Sequence, residues 1–251
     1  MPARSLFAAA LLVSGALPLA ACSRTETGYE RSGHDGSASV AAASDFSTLR
    51  DFTAIDATGP DTVAVSVGKP FSVKVEGDRE AIAELDLRVV DGTLRIGRKD
   101  GSGSFWGRDE GGVTVIVAMP ALSALSITGS GNMSVDRIAG PSLIASVTGS
   151  GNLDVAALRV DRLTATVTGS GDVRLAGTAG SATFKATGSG DIESEGLKAG
   201  SAQVSVLGSG NVDFASDGAV EGSILGSGDV DVKGKARCTV SVAGSGDVHC
   251  G

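Results

Sequence analysis

The chain has 251 residues, 21 Lys and Arg against 29 Asp and Glu, a formal net charge of −8, 37 glycines and only 4% aromatics. The acidic balance excludes the basic surface that displaces counterions from nucleic acid, and so few rings exclude a wide core of bulky side chains. The only histidines, His34 and His249, lie far apart near opposite ends, which excludes Ser–His–Asp and Cys–His nucleophilic systems and a His-rich metal centre.

In chain order, Arg4 followed by the apolar run Leu6 to Leu17 reads as a secretory signal. The run ends in Leu19-Ala20-Ala21-Cys22, which resembles the lipobox of bacterial lipoproteins. The plain alternative is an ordinary A-x-A cleavage site beside an incidental cysteine. On the lipobox reading, residues 1–21 are removed and Cys22 carries the lipid that holds the chain to a membrane. Ser23 is not an inner-membrane retention Asp, so the outer membrane is the expected destination. No other segment is apolar over the length that spans a bilayer. Residues 22–45 are small and polar without hydrophobic period, a flexible tether in which Tyr29 and His34 are solvated.

Residues 46–125 carry short strands that cap the domain and begin its coils. Thr62 to Val67 and Phe71 to Val75 alternate with period two around the turn Gly68-Lys69-Pro70. Asp78 to Leu85 predicts a helical turn or two with Asp78 as N-cap. Strands resume at Leu87 to Val90, Thr93 to Ile96 and Val113 to Val117. Between them, Arg98 to Gly112 is a polar, Gly-rich loop with Phe105 and Trp106, an aromatic pair that plugs exposed strand edges or grips a ligand.

Residues 126–251 repeat one tetrapeptide seven times. It stands as Gly129-Ser130-Gly131-Asn132, Gly149-Ser150-Gly151-Asn152, Gly169-Ser170-Gly171-Asp172, Gly188-Ser189-Gly190-Asp191, Gly208-Ser209-Gly210-Asn211, Gly226-Ser227-Gly228-Asp229 and Gly244-Ser245-Gly246-Asp247. A period near 20 with β-branched, alternating flanks marks a β-solenoid. Two residues before each first glycine stand Ile127, Val147, Val167, Ala186, Val206, Ile224 and Val242; four after stand Met133, Leu153, Val173, Ile192, Val212, Val230 and Val248. These columns face inward. The expected fold is all-β, a parallel β-helix of about seven coils, right-handed by the rule for parallel crossovers.

The corners need no ligand: Gly supplies positive φ, and Asn and Asp bond their own backbone there. Stacked Asn would add an amide ladder. The alternative is calcium relieving repulsion among the stacked carboxylates of Asp172, Asp191, Asp229 and Asp247. No cofactor is expected. Cys238 and Cys250 share the inward register, six residues either side of Gly244, and are expected to form a disulfide across the last corner in an exported protein.

These features resemble the head GIN domain family of autotransporter adhesin heads. The resemblance is carried by Phe52-Thr53-Ala54-Ile55, Asp91-Gly92-Thr93-Leu94-Arg95-Ile96, Met119-Pro120-Ala121-Leu122 and the serial corners, over roughly residues 46–251. It implies a right-handed β-helix in the bacterial envelope and brings no catalytic residue. The expected function is a non-catalytic binding or adhesion module. Its outward ladder of Thr128, Thr148, Thr168 and Thr187 would present hydroxyls to a glycan or an envelope protein. A rigid scaffold pairing through the solenoid ends is the alternative. An enzyme acting on polysaccharide is the weakest reading, since the carboxylates recur at equivalent corners instead of converging.

Overall fold

Alternation of apolar and polar residues makes most strands one-sided, and here the apolar sides are buried by winding the chain into coils. The computed structural model describes residue 46, residues 48–99 and residues 112–251. In chain order the elements are β1 (Ala54–Gly59), β2 (Thr62–Val67), β3 (Ser72–Glu76), α1 (Arg79–Ala83), β4 (Leu85–Val90), β5 (Thr93–Arg98), β6 (Thr114–Met119), β7 (Ala124–Gly129) and β8 (Met133–Val135). They continue with β9 (Ile138–Gly149), β10 (Leu153–Gly169), β11 (Val173–Gly188), β12 (Ile192–Ala199), β13 (Ala202–Gly208), β14 (Val212–Ser216), β15 (Ala219–Gly226), β16 (Val230–Gly234), β17 (Arg237–Gly244) and β18 (Val248–Cys250).

The strands before each corner pair in parallel as β1, β7, β9, β10, β11, β13, β15 and β17, which puts Gly59, Gly129, Gly149, Gly169, Gly188, Gly208, Gly226 and Gly244 in one column. The strands after the corners stack likewise, from β2 through β8 to β18. In the 20-residue coils, β10 and β11 bend round a third side, with register shifts such as that between Val155 and Leu158. The narrow core is Val, Ile, Leu and Ala, closed in the middle by Phe184 on Phe214, whose centroids lie 4.8 Å apart.

The amino-terminal end is capped. Here β5 and β6 form a coil outside β1 and β2 although they follow them in sequence. On that outer coil, β3 lies antiparallel to β6 and β4 antiparallel to β5. The sheet edges are thereby covered, a common protection against edge-to-edge pairing. Helix α1 buries Ala81 and Ile82, and the expected N-cap is present: Asp78 Oδ1 accepts from the Glu80 and Ala81 amides at 2.8 and 3.2 Å.

Two expectations need correction. The solenoid makes about six turns, not seven coils. The inward columns also lose burial in the last coil: Val242 is 43% exposed, and Val240 and Val248 are only partly buried. Among the described residues no strand stacks beyond β17 and β18 to cover them. The loop bearing Phe105 and Trp106, together with Cys22, Tyr29 and His34, lies outside the described residues.

Candidate functional site

The corner column is built by close approach of backbones. Gly129, Gly149, Gly169, Gly188, Gly208, Gly226 and Gly244 all have φ between 111° and 146°, a region closed to most side chains. Each carbonyl is then met by the next corner: Ser150 and Gly151 amides donate to Gly129 O at 2.8 and 3.0 Å, and Ser170 and Gly171 repeat this on Gly149 O. At Gly171 a methyl would collide with the Gly151 carbonyl and the Val147 side chain. The second glycine of the motif is therefore required by packing, although its φ is ordinary.

The fourth corner residue has a different job from the amide ladder expected of it. The side-chain oxygen of each Asn or Asp accepts the backbone N–H of its successor: Asn132 from Asn152 at 3.1 Å, Asn152 from Asp172 at 3.0 Å, Asp172 from Asp191 at 3.2 Å, and so to Asp229 from Asp247 at 2.8 Å. Only Asn132 and Asn152 add an amide-to-amide bond. An acceptor oxygen suffices, so Asn and Asp interchange freely. As for calcium, among the described residues no group of three or more His, Cys, Asp or Glu converges on a metal position.

The hydroxyl ladder is present and longer than its motif. Thr128, Thr148, Thr168 and Thr187 are exposed and in register, and Thr58 extends the column because β1 pairs with β7. Sequence reasoning missed Thr58 because its corner, Gly59-Pro60-Asp61-Thr62, keeps only the first glycine. The surviving signal was the column pattern Ile55, Ala57 and Val63. Asp61 fills the place of the second glycine and is buried against Arg98, with bonds of 2.5 and 3.0 Å. Beyond Thr187 the same column turns apolar, to Leu207 and Leu225.

Two open grooves lie on the outward faces. One, of about 490 Å³, follows the strands after the corners and carries Asp154, Arg174, Glu193, Glu195 and Asp213. Its charges are largely paired internally: Arg174 with Glu193 at 2.5 Å and Lys233 with Glu195 at 3.1 Å. Burial pushes the Asp213 carboxyl above its ordinary range, and the negative charges of Asp231, Glu195, Asp191 and Glu193 add to the effect. The other groove, of about 310 Å³, crosses β11, β13 and β15. At the last corner Cys238 and Cys250 form the expected disulfide, their Cα atoms 6.3 Å apart, inside the usual bridging range.

Comparison with known proteins agrees with this architecture. Residues 51–236 match the family described as "Putative auto-transporter adhesin, head GIN domain". Among solved structures, an adhesin so described from Bacteroides fragilis superposes with a TM-score of 0.70 at 22% identity. A protein described as lipid-binding from Parabacteroides distasonis gives 0.63 at 21%, and an adhesin so described from the same species gives 0.60 at 21%. Each comparison covers 80% of this chain and 93% of the other. At this identity the likeness establishes the fold. No protein of curated function matches the chain.

Proposed function

Because the chain belongs to the head GIN domain family of auto-transporter adhesins, we infer that it is a non-catalytic binding module of the bacterial cell envelope. In this reading Cys22 carries the lipid anchor, the absence of a retention Asp at Ser23 favours the outer membrane, and the outward sheet face adheres to a glycan or an envelope protein. One observation carries it: the exposed, in-register column Thr58, Thr128, Thr148, Thr168 and Thr187. Its rungs repeat at about 4.8 Å, giving a regular lattice of hydroxyls. Threonine also suits exposed strands without any ligand, so the face itself must be tested. Thr148→Lys with Thr168→Lys should abolish binding to purified envelope glycans or cells while leaving melting unchanged. Undiminished binding would remove the hydroxyl face from the proposal. Protease added to intact cells should cut the wild-type domain, and Cys22→Ala should release it; protection until the outer membrane is opened would end adhesion as the primary role.

A second reading, a rigid assembly scaffold, draws on the exposed inner residues of the last described coil, above all Val242. Sedimentation separates the two, since a strict monomer at high concentration leaves the scaffold without support.

A further inference from the structure

Among the described residues the polar series of the outward face is interrupted by Ile144, which is 55% exposed, and by a cluster of residues further along the solenoid. Leu207 and Leu225 replace threonine in the hydroxyl column, pair in register, and are 48% and 57% exposed. Two residues earlier along the strands, Lys185 interrupts a column of small hydroxyls and sits beside Ser205. Two residues earlier again stand Gln203 and Glu221, paired on neighbouring strands. Lys185, Gln203, Ser205 and Glu221 line the groove of about 310 Å³, and Leu207 and Leu225 stand two residues beyond Ser205 and Ser223 on β13 and β15. Nothing in the coil requires these residues. Single exposed leucines are ordinary, but two stacked on adjacent strands form a small apolar patch. The charges are also uncommitted: Lys185 and Glu221 make no hydrogen bond or ion pair among the described residues. On the opposite groove, by contrast, Arg174 and Lys233 are both neutralised by neighbours.

The order of these groups specifies a ligand. Along the strand direction come a carboxylate, then an ammonium with hydroxyls, then leucines, in steps of about 6.7 Å for alternate residues, with Lys185 on β11 set two strands, about 9.6 Å, to the side of Glu221 on β15. The complement is a molecule carrying an ammonium, then an anion, then an alkyl chain. We propose that this groove binds a single zwitterionic amphiphile of the ethanolamine-phospholipid class. Glu221 takes the ammonium, Lys185 the phosphate through a charge-assisted bond, Gln203 and Ser205 the remaining headgroup oxygens, and Leu207 and Leu225 the alkyl chain. The proposal rests on reading the outward face as the binding surface, and it names the ligand at one end of that face.

The test is calorimetric titration of the full chain carrying Cys22→Ser, so that no attached lipid competes, with monomeric dihexanoyl-phosphatidylethanolamine. Saturable binding is expected. Lys185→Glu, Glu221→Lys and Leu225→Gln should each weaken it by roughly tenfold, the scale of losing one such contact, whereas Thr128→Lys at the far end should not. These positions are on the surface, and unchanged melting will confirm that the variants fold. No saturable binding, or binding indifferent to the three substitutions, overturns the proposal. Equal affinity for dihexanoyl-phosphatidylglycerol, which lacks the ammonium, or for phosphoethanolamine, which lacks the chains, overturns it as well. Adhesion that still depends on Thr148 and Thr168 when the lipid fails to bind would leave the adhesive reading standing and remove only this one.

Discussion

Replacing Gly169 by alanine should unfasten one corner in the middle of the solenoid. Gly169 has φ 122°, and an added Cβ would press on the Gly149 carbonyl oxygen inside the 3.0 Å that real Cβ atoms respect, with Gly149 N and C at 3.1 Å. That carbonyl accepts from Ser170 and Gly171 at 2.8 and 3.0 Å, so relieving the clash pulls both bonds apart. Backbone strain of about 1–3 kcal/mol and two hydrogen bonds at about 1 kcal/mol each sum to roughly 3–5 kcal/mol. Against a total stability on the order of 5–15 kcal/mol, such a loss is large. The control is Gly140→Ala on β9, where φ is not positive and the new methyl meets nothing within 4 Å; its effect should stay within about 1 kcal/mol. Urea denaturation gives the difference. Because repeat units unfold semi-independently, amide exchange at Ser170 and Gly171 should accelerate before that at distant corners. If Gly169→Ala is no worse than Gly140→Ala, the account of the motif as a steric requirement of stacking is wrong.

Four further outcomes are expected. Asp61→Ala strands the guanidinium of Arg98, which also reaches Ala81 O at 3.4 Å, and should cost about 3–5 kcal/mol, with the capped end losing exchange protection first. Asp213 has a raised pKa in the folded state, so its stabilising contribution is complete below the ordinary value of 3.8 and is lost as pH rises through the raised one. Asp213→Asn should therefore melt higher than wild type at neutral pH, with the gap closing on acidification; a constant gap would refute the electrostatic cause. Ser194 is fully buried and its hydroxyl has no partner among the described residues, so Ser194→Ala should raise stability by roughly 1 kcal/mol in denaturant titration. Reducing the disulfide between Cys238 and Cys250, which spans 12 residues, should cost about 3 kcal/mol, read as faster exchange confined to β17 and β18.

The regular half of the molecule was legible because its constraint is severe. Wherever successive corners pass within backbone contact, no side chain fits, and glycine therefore recurs at Gly131, Gly151 and Gly171 in plain view. The alternation fixed the inward columns for the same reason, up to the last coil, where burial depends on a neighbouring coil and not on pattern. Strand order was not legible at the capped end. Local alternation in β5 and β6 says strand, but carries no information that they stack outside β1 and β2. The corner at Gly59 was hidden because Pro60 and Asp61 replace the signature residues while Arg98 supplies a compensating contact. The corners were legible as structural, but the mixture of Asn and Asp was not explained by sequence, which does not reveal that the side-chain oxygen accepts the backbone N–H of the next coil. Neither groove was foreseen, because each is lined by outward residues that depart from the repeat.

That division has a functional consequence. At the stacked corners most groups are already spent: the carbonyl accepts one or two amides, the Asn or Asp oxygen accepts another, and the glycines leave no side chain to vary. A ligand could gain nothing there without undoing the stack. The outward columns are the opposite case, since substitution there neither clashes nor unpairs backbone. A column of identical threonines, however, offers the same contact on every rung and so no unique address. Selectivity can arise only where rungs differ from one another, and on this face they differ where Lys185, Glu221, Leu207 and Leu225 interrupt the series. Regularity thus serves stability, and the irregular rungs are where the proposed ligand has to be sought.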